Sequence, residues 1–312
     1  MKVVGALGFL PADSFNVIVL MAVFTLISLG LHFTFGLLNL VNLAHGEFLL
    51  IGAYTAFQMQ DTTGSVVLGI LVAPLVAAVV AVVVERGILR FFYERTLDSL
   101  LATFGLSVII RQIVQLIYSA NPRTVRDPIG GAVTVAGFVL PRWRLLLVII
   151  TVALVTLVWV ILGTTAFGLR ARASVRNPAL AETMGINVGL VRAGLFTLGS
   201  ALAGLSGALL APINTLNPQF GLFFLVNSFL VVILGRQGSL RGLVVAAVVL
   251  GGSLSVLQFV MRTVYAQVIV LVIAIVGVRL RRVLAERVVA YRERRSPARS
   301  PQVAQGGAVD SG

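Results

Sequence analysis

Apolar runs long enough to cross a lipid bilayer recur along most of this chain. A transmembrane helix needs about 20 mostly apolar residues at a rise of about 1.5 Å each. The sequence is 58% hydrophobic and 11% charged, whereas soluble domains carry about 25% charged residues. We therefore predict an all-α polytopic membrane protein with about eight to ten transmembrane helices. The candidate spans are Phe15–Leu38, Phe48–Met59, Ser65–Leu89, Ser99–Tyr118, Arg144–Leu162, Leu190–Pro212, Leu222–Leu234, Leu240–Met261 and Val264–Val278.

A polar stretch, Asn39–Glu47, separates the first two of these spans. Polar groups at membrane depth are tolerated only inside protein or beside a water-filled cavity. Transporters place such broken helices at the substrate path. We predict that this break lines a translocation pathway, with contributions from Asn39, Asn42, His45, Gly46 and Glu47.

A second stretch, Asn214–Gly221, shares the pattern N-x-x-N-x-x-x-G with the first break. Each copy follows a long apolar segment and precedes a short one. This pattern predicts two inverted repeat halves whose polar breaks face each other. Asn214, Asn217 and Gly221 then join the predicted pathway, although a match of three residues can also arise by chance.

The positive charges suggest an orientation in the membrane. The net charge is +13, and Arg is concentrated in Gly163–Gly189 and after Val278, so both segments are predicted to be cytoplasmic. Counting spans places the N-terminus and Ala120–Arg144 outside, although that external loop also carries Arg.

We expect one transmembrane domain over 1–295 and a disordered cytoplasmic tail over 296–312, with anionic lipid near the basic tail.

Glu47 and Arg111 each leave more than one interpretation open. Glu47 can stabilise the N-terminus of the following helix, act in the pathway, or form a weak metal motif with His45. Arg111 lies within a span beside Gln112, so it can pair with Glu47, line the pathway with Gln112, or extend toward the outer surface.

The connection Phe167–Val188 predicts a docking element for a cytoplasmic partner. Asn177-Pro178 is typical of a helix start and Gly185 of a helix end. The alternative is a surface loop whose Arg residues anchor it to the membrane. The predicted docking residues are Arg170, Arg172, Arg176, Ala181, Glu182, Gly185 and Ile186.

Missing residue types exclude several functions. Lys2 is the only Lys and occurs in no P-loop, so the chain cannot bind ATP in that way. There is no Cys, and only two His are present. We therefore expect no enzyme activity, no catalytic residues, no metal site and no cofactor.

Three segments resemble a known family. Leu37–Tyr54 closely resembles a signature of the permease subunits of branched-chain amino acid ABC importers, and of their shorter, LivH-type subunit in particular. Arg170–Asn187 is similar to the coupling loop of that family. Leu198–Leu210 is similar to one of its helices, which is rich in small residues. Arg111 and the basic tail have no counterpart that we can identify.

The resemblance implies both a role and partners. The role is the membrane pathway of an ATP-driven importer for branched-chain amino acids in the plasma (inner) membrane. The partners are a related second permease in a heterodimer, two cytoplasmic ATPase subunits and an extracytoplasmic substrate-binding protein. The alternatives are a permease for urea or short amides, an ion-coupled secondary transporter using Glu47, or a scaffold without transport activity.

Overall fold

The chain forms a helical bundle with one short β-hairpin. A computed structural model describes residues 11–38, 40–93, 95–135 and 138–295. The expected disordered tail, 296–312, lies outside the described residues, as does Asn39. The helices within the described part are α1 Pro11–Leu31, α2 His45–Thr63, α3 Val66–Gly87, α4 Thr96–Tyr118, α5 Arg142–Thr164, α6 Ala166–Arg176, α7 Pro178–Thr183, α8 Val188–Leu210, α9 Phe220–Leu234, α10 Leu240–Val260 and α11 Thr263–Arg295.

Seven helices of the described chain are long and apolar enough to cross a membrane: α1 with its continuation, α3, α4, α5, α8, α10 and α11. α9 is a shorter apolar helix, and α2 has 19 residues and a polar C-terminal part. Together these nine helices confirm the predicted all-α polytopic class. Several details differ from the sequence prediction, and the last helix continues to Arg295 rather than ending at Val278. α2 begins at His45 rather than Phe48, and β1 Ala132–Val135 pairs with β2 Phe138–Pro141 in the predicted external loop.

The centre of the bundle is built from α2, α3 and α8, which pack against one another, and from α1, which packs on α8 and α10. Glycine allows these close approaches. A Cβ added at Gly30 would strike the carbonyl oxygen of Gly199, and one added at Gly52 would strike that of Gly204. Helices that lie in a membrane associate through such small-residue contacts because lipid tails provide no hydrophobic drive.

The bundle has two distinguishable ends. At the end bearing β1 and β2, called the hairpin end, Arg144 at the start of α5 donates a hydrogen bond to Asn16 near the start of α1 (2.9 Å). At the other end, called the α7 end, Leu37 and Leu38 approach Ser174 of α6. α1 therefore runs from the hairpin end to the α7 end and continues there as a π-helical turn, His32–Leu37.

Helices α4, α5 and α11 form much of the periphery. They expose large apolar side chains, among them Leu101, Val152 and Val272. Such a surface suits lipid or another membrane helix. α11 is tied to its neighbour at the α7 end, because the Arg281 guanidinium donates to the carbonyl oxygens of Ile233 and Leu234 in the last turn of α9 (3.2 and 2.8 Å).

Candidate translocation pathway and docking surface

The two polar breaks enter the bundle from opposite ends and meet inside it. The first break follows α1 at the α7 end. The second is tied to the hairpin end by an isolated backbone bridge between Arg123 and Leu216. They meet where α2 and α9 begin: a Cβ on Gly46 would strike the carbonyl oxygen of Gly221, and a Cβ on Gly221 would strike that of Gly46. The structure therefore brings the matching glycines of the two sequence patterns into mutual contact.

The two breaks also share their local hydrogen bonds. The Asn42 side chain accepts from the N–H of Ala44 (3.0 Å), and the Asn217 side chain accepts from the N–H of Gln219 (2.9 Å). The Asn42 and Asn217 carbonyls accept from the N–H groups three residues later, at 3.3 and 3.0 Å. In each break an Asn side chain thus replaces the backbone partner that the interrupted helix lacks. The two breaks therefore share this local hydrogen-bonding pattern.

Glu47 is held by α4. Its carboxylate oxygen Oε1 accepts from Arg111 (2.7 Å) and from the Ser107 hydroxyl (2.8 Å), and Arg111 also donates to that hydroxyl (2.9 Å). Glu47 is 1% exposed and the Arg111 side chain 23%. Of the interpretations left open by the sequence, the structure shows the ion pair. It also places Glu47 in the first turn of α2, where a negative charge is favourable.

Other buried polar side chains around the first break contact backbone atoms. His45 contacts the carbonyl oxygen of Ile27 through Nε2 (3.4 Å), and the N–H of Leu43 donates to the Thr103 hydroxyl of α4 (3.2 Å). In the described residues, no group of three His, Cys, Asp or Glu side chains could hold a metal ion. The His45–Glu47 pair thus gains no third ligand within that part of the chain.

The predicted pathway residues differ in their surroundings. Asn42, His45, Gly46, Glu47 and Gly221 are buried at the meeting point. Asn214 and Asn217 are half-buried on the side of the hairpin end, where the Asn214 amide donates to the Leu210 carbonyl oxygen (2.9 Å). Gln112 is exposed on the surface of α4, apart from this group, and Asn39 lies outside the described residues.

The predicted docking segment forms two helices, α6 and α7. Asn177 starts α7 by accepting from the N–H of Leu180 (3.0 Å), and Gly185 ends the turn with φ +79°. Leu180 and Met184 are exposed, as are most of the predicted docking residues. Arg172 and Ile186 are half-buried, and Ala181 is 2% exposed and packs inward. We therefore place the available surface of α7 on Leu180 and Met184.

Comparison with known proteins identifies the family. The sequence model described as "Branched-chain amino acid transport system / permease component" matches residues 14–278. The chain belongs to this permease family. The permease is 25% identical over 256 residues to the high-affinity branched-chain amino acid permease protein LivH of Salmonella typhimurium, covering 76% of this chain and 82% of that one.

Two further relatives agree with this assignment. The permease is 27% identical over 271 residues to a probable branched-chain amino acid transport permease protein, LivH, of Methanocaldococcus jannaschii, covering 80% of this chain and 84% of that one. It is 23% identical over 244 residues to BraD of Pseudomonas aeruginosa, covering 73% and 80%. No solved structure matches the chain. The protein is a LivH-type, multi-pass membrane transport permease, which confirms the resemblance read from Leu37–Tyr54.

A polar cluster that the sequence reading missed lies beside the docking segment of the permease. The Tyr93 hydroxyl donates to the buried Glu85 carboxylate (3.1 Å), and the Arg192 guanidinium lies over the Tyr93 ring (5.4 Å to the centroid). Burial, together with the nearby Glu85 carboxylate, raises the pKa of Tyr93 above its usual value, so the hydroxyl remains a donor. The cluster connects the end of α3 to the first part of α8, and Glu182 of α7 lines the same crevice as Glu85, Tyr93 and Arg192.

Among the crevices of the permease, two at its hairpin end measure about 440 and 420 Å³. Both are lined by Arg144, Ile213 and Asn214. From the sequence, Arg144 was considered only as a positive charge in the loop predicted to be external. The signal available in the sequence was the position of this Arg at the start of an apolar span, two residues from Arg142.

Proposed function

We propose that this permease forms the membrane pathway of an ATP-driven importer for branched-chain amino acids. The observation that carries the proposal is the contact between Gly46 and Gly221, where two half-helices entering from opposite ends meet inside the bundle. Such a junction has polar backbone at depth, and transporters use it as a gate. The names of the relatives supply the substrate class, since LivH and BraD are described as branched-chain amino acid permeases.

We further propose that the two halves are inverted repeats. The equivalent hydrogen bonds of Asn42 and Asn217 support this arrangement, as does the entry of the two breaks from opposite ends. The helix packing agrees with this arrangement. If α1 and α3 of one half correspond to α8 and α10 of the other, the contact of α1 with α10 corresponds to the contact of α8 with α3. A rocking motion of the halves would separate Gly46 from Gly221 and open the path.

ATP hydrolysis would act from the α7 end, which we assign to the cytoplasm. The exposed Leu180 and Met184 offer an apolar contact, and Arg172 and Arg176 add positive charge for a partner ATPase. The partners are then two ATPase subunits, a second permease and, at the hairpin end, a substrate-binding protein. The Arg-rich end of α11 falls on the cytoplasmic side, near anionic lipid.

Reconstitution of the complete importer in proteoliposomes tests the proposal. The wild-type complex should take up leucine only when ATP is available to the ATPase subunits. Arg172→Glu and Arg176→Glu combined with Gly185→Pro should retain assembly but lose the stimulation of ATPase activity by substrate. Arg142→Glu, a charge reversal of an exposed Arg at the opposite, hairpin end, is the matched control. Wild-type coupling in the triple variant would remove the docking claim.

An ion-coupled transporter is the second candidate because Glu47 is a buried carboxylate. A relay requires further buried carboxylates along the path, but in the described residues the other buried one, Glu85, accepts from Tyr93 at the end of α3, apart from the break. The same vesicles decide between the two mechanisms. Leucine uptake driven by a proton or sodium gradient without ATP would establish the secondary transporter and overturn the ATP-driven proposal.

A further inference from the structure

The larger of the two crevices that share Arg144 has an amphiphilic lining. It measures about 440 Å³ and lies between α1, α9, α10 and α11. This is within the range of about 300–1,000 Å³ for small-molecule sites. One part of its wall is apolar and the other polar. The apolar part comprises Val19, Val23, Phe24, Phe224 and Leu254, and the polar part comprises Arg144, Asn214, Asn227, Gln258 and Gln267.

Arg144 brings a positive charge to this crevice without an acidic partner. Within the described part of the chain, the two ion pairs are Arg95–Asp98 and Arg111–Glu47. The Arg144 guanidinium donates to the neutral side chain of Asn16, at 2.9 Å, and no carboxylate lines the larger crevice. A guanidinium has five N–H donors, so most of its capacity remains available to an incoming anion.

We propose that this crevice is an outer binding site for an α-amino acid with a hydrophobic side chain. Arg144 would hold the carboxylate through paired N–H donors, which is the geometry that a guanidinium favours. The amide oxygens of Asn214 and Gln258 would accept from the ammonium group. The apolar wall would take the side chain. This inference rests on the proposed function and adds a substrate site that the pathway prediction did not contain.

The crevice lies beside the proposed gate, so a substrate could bind in it before translocation. Asn214 belongs to the second break and lines the crevice. Phe224 lies one turn after Gly221 on α9 and is held between Phe220 and Phe223, whose ring centroids lie 4.9 and 5.2 Å away. Separation of Gly46 from Gly221 would therefore change the floor of this site, so that a substrate bound there could move toward the break.

Photolabelling of the purified importer complex, without its binding protein, tests the site. The probe is leucine with a diazirine in its side chain, and mass spectrometry locates the labelled residues. We expect labelling of the apolar wall, around Val23 and Phe224, which excess leucine prevents and leucinol, lacking the carboxylate, does not. Arg144→Gln should reduce labelling at least about tenfold, the scale of one charge-assisted hydrogen bond.

Two variants control for folding and for charge at the same helix start. Arg144→Lys keeps the charge and should retain part of the labelling. Arg142→Gln removes an exposed Arg two residues away that lines neither crevice, and it should label as the wild type does. Each complex is checked for assembly by size-exclusion chromatography, so a loss of labelling in an assembled Arg144→Gln complex reports the site.

Different results would contradict the proposed site and the proposed function. Full labelling in Arg144→Gln, equal competition by leucinol, or a crevice filled by lipid and therefore unlabelled would overturn the site. Any of these results in an importer that still performs ATP-driven leucine uptake leaves the proposed function standing. An importer that takes up no branched-chain amino acid overturns the function and, with it, the site.

Discussion

Replacing Arg111 should destabilise the permease more than replacing its partner Glu47. The two residues form a 2.7 Å ion pair, but Glu47 is 1% exposed whereas the Arg111 side chain is 23% exposed. Arg111→Met leaves the buried carboxylate with the neutral Ser107 donor, which by analogy with broken buried pairs costs about 3–5 kcal/mol. Glu47→Gln leaves a guanidinium that water can reach, and it removes one charge-assisted hydrogen bond, worth about 1.5–3 kcal/mol.

The double variant Glu47→Gln/Arg111→Met separates the pair energy from other effects. Both positions are then neutral, so the loss of unfolding free energy should be smaller than the sum of the two single losses. The assay is unfolding of the purified permease in mixed micelles by titration with SDS, followed by circular dichroism. The matched control is Arg95→Gln, which breaks an exposed 3.7 Å ion pair with Asp98 and should cost about 0–1 kcal/mol.

Two outcomes would refute this reasoning. If Arg111→Met is no more harmful than Arg95→Gln, the buried pair does not hold α4 against the break. If the losses from Glu47→Gln and Arg111→Met simply add, the two side chains do not interact in the membrane. In either case the link between α2 and α4 would have to come from other contacts, such as the hydrogen bond from Leu43 to Thr103.

Three further predictions concern the break and the α7 end. Gly46→Ala should prevent the two breaks from touching and abolish monodisperse protein, whereas Gly105→Ala, a matched change into open space, should be tolerated in the same chromatography. Asn177→Ala removes the cap of α7 and should cost that helix about 0.5–2 kcal/mol, seen as faster hydrogen exchange. Tyr93→Phe should lower the melting temperature by leaving Glu85 without its hydroxyl donor. Because the folded-state pKa of Tyr93 is raised, wild-type stability should fall as the pH rises above about 10, and the variant should lack that component.

The sequence was a good guide to elements whose pattern is local. Apolar runs predicted the long helices, and Asn177-Pro178 with Gly185 predicted the short one, because caps and hydropathy act within a few residues. The start of α2 was predicted three residues late. The polar stretch Asn39–Glu47 was predicted to be a break, but contacts from α1 and α4 accommodate His45 and Glu47 at the start of α2.

Contacts between distant segments were harder to predict. The partner of Arg111 could not be decided, since Glu47 lies 64 residues away and a snorkelling side chain fits the same sequence. The crevice around Arg144 was missed because its wall is assembled from five helices and the second break. The arginines in the loop predicted to be external contradicted the rule that positive residues are enriched in cytoplasmic loops. In the structure, the Arg123 side chain donates to the Tyr118 carbonyl oxygen and lies over the Phe57 ring, so this arginine has local partners.

The central claim is that ATP hydrolysis opens a path where the two breaks meet, and cysteine accessibility tests it most directly. The chain has no native Cys, so Leu43→Cys places a single thiol in the half-buried part of the first break. Its reaction with a membrane-impermeant methanethiosulfonate is measured in the resting and vanadate-trapped importer, with Thr62→Cys, at the exposed end of α2, as control. The account predicts a rate at Leu43→Cys that differs at least about tenfold between the two states, which corresponds to a change of about 1.4 kcal/mol in opening free energy, and an unchanged rate at Thr62→Cys. Equal rates at Leu43→Cys in both states, in an importer that hydrolyses ATP and transports leucine, would contradict it.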